Sequence, residues 1–67
     1  MIKFGVEHIT KENNKITMYK SKEIAMREAK AIANKLATGE SVTLFYAECD
    51  PEGKLATNEF NIVQVWN

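Results

Sequence analysis

From Ile2 to Ile9 the side chains alternate with a period of two. Ile2, Phe4, Val6 and His8 share one face, and Lys3, Gly5 and Glu7 share the other. Such alternation predicts a half-buried β-strand. Lys11 to Lys15 is a polar break, and Asn13 and Asn14 suit a tight hairpin. A second strand is then expected at Ile16 to Tyr19. A two-residue turn at Asn13-Asn14 sets Tyr19 opposite His8; a three-residue loop, Glu12 to Asn14, sets Met18 there instead. One residue of slip exchanges the faces. The second register is preferred because it gathers Phe4, Val6, Ile16 and Met18 on one side.

Between Lys22 and about Thr38 the period changes. Ala25, Ala29, Ile32, Ala33 and Leu36 recur at helical spacing, with Glu23, Arg27, Lys30 and Asn34 on the far side. Ser21 is the expected N-cap and Gly39 the left-handed stop. An alanine stripe lets a helix lie close on a sheet. Ser41 to Cys49 is again strand-like, with Val42, Leu44 and Tyr46 facing one way and Thr43, Phe45 and Ala47 the other. Asp50-Pro51-Glu52-Gly53 carries a type I turn signature. The last strand is expected at Phe60 to Trp66. The expected architecture is therefore α+β: a single domain over residues 1–67, β-β-α-β-β, with one helix on a four-stranded, largely antiparallel sheet.

One helix covers one sheet face, yet both faces of the later strands are apolar. With Val42, Leu44, Tyr46, Phe60, Ile62 and Trp66 against the helix, Phe45, Ala47, Val63 and Val65 are left over. Contiguous apolar groups on an open sheet face mark an interface, unless they are twisted apart or covered by the 54–59 segment. Phe45, Val63 and Val65 are thus candidate partner-binding residues, and a homodimer is a natural form.

Sixty-seven residues leave room for one small core, which buries roughly 60% of the unfolded chain's surface. Nine basic and nine acidic groups cancel, which argues against a general polyanion binder. The sum hides a division. Residues 1–35 carry eight basic and four acidic groups, a balance of +4; residues 36–67 carry one and five, a balance of −4. Glu48, Asp50, Glu52 and Glu59 gather at the second hairpin and suit a basic protein surface, in competition with nucleic acid. The alternative is a small regulator that tracks nucleic-acid phosphates with Lys11, Lys15, Lys20 and Lys22, offering Tyr19 for stacking. A single arginine, Arg27, makes that set a poor specific reader.

Chemistry is sparse. One His, one Cys and one Asp allow no zinc spacing and no disulfide. A Cys49–His8 nucleophilic pair needs the two in hydrogen-bond reach. Glu48 and Asp50 beside the thiol oppose its activation. Glu48, Asp50 and Glu52 lack the ligand spacing of a calcium loop, and Gly5, Gly39 and Gly53 form no phosphate loop. The expectation is a non-enzymatic interaction module with no catalytic, cofactor-binding or metal residues. No long apolar run points to a membrane partner or a signal peptide, so the cytoplasm is the expected location. In size and style the chain looks like short accessory proteins or inhibitors of phages and mobile elements, although no motif carries that likeness.

Overall fold

The computed structural model describes residues 1–52, 54 and 60–67. Strand β1 (Ile2–Ile9) pairs with β2 (Asn14–Tyr19), helix α1 (Lys22–Ala33) crosses one face, and β3 (Ser41–Glu48) and β4 (Asn61–Trp66) complete the sheet. The strand order is β2-β1-β3-β4 and every pairing is antiparallel. The architecture is the expected two-layer α+β domain. Its order places β1, from the basic half of the chain, directly against β3, from the acidic half, so the two charge balances interleave.

The helix-side core is formed by Val6, Ala25, Ala29, Val42 and Leu44. Phe4, Tyr19, Met26, Ile32, Leu36 and Trp66 pack around it. Ala25 and Ala29 are wholly buried, so the alanine stripe does bring the helix backbone close to the strands.

Four local expectations are corrected. The first hairpin adopts neither anticipated register: Phe4 lies opposite Tyr19 and Ile9 opposite Asn14. Its loop, residues 10–13, closes on the Thr10 side chain. Thr10 Oγ1 accepts the Asn13 N–H at 3.0 Å, and the Thr10 N–H donates to the Asn13 carbonyl at 2.8 Å. This register sends Tyr19 into the core and places Ile16 and Met18 on the opposite face from Phe4 and Val6.

The helix stops at Ala33 with Asn34 as its C-cap, well before Gly39. Twelve residues advance about 18 Å, and the chain must then turn back to enter β3 at Ser41, beside Ile9. Gly39, at φ +88°, serves that return loop. Ser21 does occupy the N-cap position, but its hydroxyl makes no capping bond; its carbonyl accepts the Ala25 N–H instead.

In β4 the pairing shifts between Leu44 and Phe45. Gln64 faces Leu44 and Ile62 faces Phe45, leaving Val63 as the extra residue of a β-bulge. The bulge reverses the alternation, so Ile62 joins Phe45 on the face away from the helix while Trp66 stays on the helix side. Phe60 also lies against Phe45, ring centroids 4.8 Å apart and nearly perpendicular. The expected Phe60–Ile62–Trp66 helix-facing set is thus divided between the two faces.

Candidate functional site: the open sheet face

Both register corrections add apolar surface to the face the helix leaves uncovered. One row across the sheet reads Met18, Gly5, Phe45, Ile62, and the next reads Ile16, Glu7, Thr43, Val65. Ile16, Ile62 and Val65 are 49%, 66% and 47% exposed. Phe60 is also exposed, and Val63 is partly so.

Phe45 plays a different part from the one its position suggests. It is only 3% exposed, because its ring lies over Gly5 and meets the Phe60 ring nearly at right angles. A Cβ built on Gly5 would fall 2.3 Å from Phe45 Cζ. The absence of a side chain at Gly5 is therefore what allows the ring to lie down, the cross-strand aromatic cover of a strand glycine. Phe45 is the floor of the face, and Ile16, Ile62 and Val65 are its exposed apolar groups. Ala47, further along β3, and Cys49, just beyond its end, are buried as well. The idea that segment 54–59 covers the face concerns residues mostly outside the described set.

Glu7 stands within this apolar field. It is half-buried, and it makes no hydrogen bond or ion pair among the described residues. With Ile16, Thr43, Phe45, Phe60 and Ile62 it lines a groove of about 190 Å³. Alternation at Ile2 to Ile9 places Glu7 on this face from sequence alone. Its isolation among Ile16, Phe60 and Ile62 depends on the hairpin register and the bulge, and sequence reasoning missed it.

Known families, curated proteins and solved structures offer no match to this chain. The site must therefore be read from its own chemistry.

The acidic turn divides into two kinds of residue. Asp50 Oδ1 accepts the Glu52 N–H at 3.0 Å and the Lys54 N–H at 2.8 Å, while the Asp50 N–H donates to the Lys54 carbonyl at 2.8 Å. Asp50 thus holds the turn together, and its carboxylate is engaged. Glu52 projects into solvent, and Glu48 pairs with the Met1 amino group. Gly53 and Glu59 lie outside the described residues. Asp50→Ala is expected to cost about 1–2 kcal/mol by orphaning two amides, whereas Glu52→Gln should stay within about 0.5 kcal/mol. Urea midpoints of the two variants measure the difference.

The lysines do not form one patch. Lys11 is in the loop at one end of the first hairpin, and Lys15 sits opposite His8 at the start of β2. Lys20 and Lys22 lie beyond the other end of that strand, roughly 16 Å of strand away from Lys15. Tyr19 packs half-buried against the core, which removes most of its ring from any stacking role.

His8 and Cys49 are likewise separated. His8 pairs with Val42, and seven residues of β3, roughly 23 Å, separate that row from Cys49. His8 Nε2 lies instead 3.6 Å from Glu40 Oε1, which accepts the Ala37 N–H at 3.2 Å in the loop after the helix. Among the described residues no three metal-ligating side chains cluster, and no helix is long and apolar enough to cross a membrane.

Proposed function

We propose that this chain is a small, non-enzymatic protein-interaction module that works through its open sheet face, with the acidic turn at Glu48 and Glu52 beside it, and whose simplest partner is a second copy of itself. The observation that carries this reading is one continuous surface. Ile16 on β2 and Ile62 and Val65 on β4 stand exposed to either side of the packed Phe45 ring, and the helix of the described residues lies on the other face. Exposed β-branched side chains on a regular sheet face gain by being covered.

The size of the surface sets the strength. Four strands at about 4.8 Å spacing and two rows of side chains give a patch on the order of 300 Å². Buried on both partners, such a patch comes to about 600 Å², below the roughly 1,000 Å² of a stable specific interface, so association through this face alone is weak and transient. The reading by way of nucleic acid draws less support, because Lys11 and Lys15 are remote from Lys20 and Lys22 and Tyr19 is engaged in the core.

Sedimentation equilibrium over a wide concentration range tests the reading. Wild type should show a mass that rises with concentration, and Val65→Glu or Ile62→Glu should abolish that rise. Both positions are solvent-exposed, so each variant should unfold within about 0.5 kcal/mol of wild type. A wild type that stays strictly monomeric to millimolar concentration would remove self-association from the account.

A further inference from the structure

The charged residue within the open face restricts what can cover it. Glu7 is half-buried in β1 between Ile16 of β2 and Thr43 of β3, with Phe45, Phe60 and Ile62 completing the groove wall. A partner that pressed only apolar atoms onto this groove would strip water from a carboxylate and return nothing to it. The penalty for an unpaired buried charge exceeds what a small apolar patch gains. The groove is also too small for an ordinary ligand, since small-molecule sites run to about 300–1,000 Å³. At about 190 Å³ it has the dimensions of one long side chain.

We infer that the groove over Glu7 seats a lysine or arginine side chain of a partner protein. The aliphatic stem lies along Ile62 and Phe60, and the cationic head reaches the Glu7 carboxylate. Long basic side chains are suited to this because they bury their stems while keeping the head paired. The Phe60 ring adds a face over which a guanidinium is attracted. Thr43 supplies a hydroxyl at the same wall. This inference rests on the reading of the open face as a contact surface, and it specifies the chemistry that surface selects.

The groove can be probed without knowing the partner. n-Butylguanidinium carries the stem and head of an arginine side chain, and n-butanol carries the stem alone. Each is titrated into ¹⁵N-labelled protein at a concentration where sedimentation gives the monomer. The expected result is saturable shifts of the Glu7, Thr43 and Ile62 amides with n-butylguanidinium and at least threefold weaker binding of n-butanol. Glu7→Gln should lose most of the preference for the cation while keeping the wild-type spectrum elsewhere. Glu28→Gln, exposed on the helix layer and away from the groove, should retain it. Equal binding of both probes, no binding of either, or a cation preference that survives in Glu7→Gln would overturn the inference. Failure of the contact-surface reading looks different: a chain that never self-associates yet binds the cation through Glu7 loses the second-copy partner and keeps the groove.

Discussion

Gly5→Ala is expected to destabilise the protein by about 2 kcal/mol, lowering its melting temperature by roughly 10 °C for a domain of this size. Alanine is normally the better strand residue, so propensity alone predicts a small gain of well under 1 kcal/mol. The sign is reversed here by contact. The new methyl would meet three ring carbons of Phe45 at 2.3–2.7 Å, and that ring also packs against Phe60. The ring must rise out of its seat, and the floor of the open face rises with it. A second substitution separates this mechanism from a general intolerance of β1. In the background of Phe45→Leu the alanine should cost at least 1 kcal/mol less, because the clashing ring edge is gone. Equal penalties in both backgrounds, or a Gly5→Ala protein as stable as wild type, would show that the ring is not seated on the glycine.

Leu44→Ala carries the largest expected loss, about 2–5 kcal/mol. Leu44 is wholly buried at the centre of the sheet, between Val6 and Gln64 and beneath the helix. The buried helix residues of the same core, Ala25 and Ala29, are too short to reach into the hole, so filling it would require the peripheral side chains around them to shift. A chain of 67 residues has on the order of 3–10 kcal/mol to lose. Urea denaturation followed by circular dichroism should therefore find Leu44→Ala largely unfolded at 37 °C. A loss below 1 kcal/mol would mean that the helix is not closely packed on β3.

The element types and the two-layer fold were legible in the sequence, the helix end and the Ser21 cap were not, and the pairing registers that set which face a side chain takes were misread. The alternation of Val42, Leu44 and Tyr46 against Thr43, Phe45 and Ala47 requires only a strand, and it is found in β3. The alanine stripe requires only a helix, and it faces the sheet. The first-hairpin register turns on whether Thr10 closes the loop with its side chain, and a polar run of five residues is equally compatible with shorter loops. The place of Ile62 turns on one extra residue, Val63, which no local pattern marks. Both errors exchanged faces, and both exchanges enlarged the open surface that carries the functional reading. Of the residues first taken for that surface, Val65 is in the contact layer and Val63 is the bulge. Phe45 lies beneath as support. The sum of charge concealed something similar. The +4 and −4 halves of the chain are brought side by side by β1 and β3, and the charge set among the apolar groups of the groove is the carboxylate of Glu7, with Lys3 four residues away on the same face of β1.

The most direct test of the open face as the contact surface is an isotope-filtered nuclear Overhauser experiment. An equal mixture of ¹³C-labelled and unlabelled chains at millimolar concentration reports only contacts between different molecules. Intermolecular signals from the methyl groups of Ile16, Ile62 and Val65 are the predicted result, with Ile24 on the exposed side of the helix silent. Signals confined to Ile24 and the helix surface, or none from any methyl group, would contradict it.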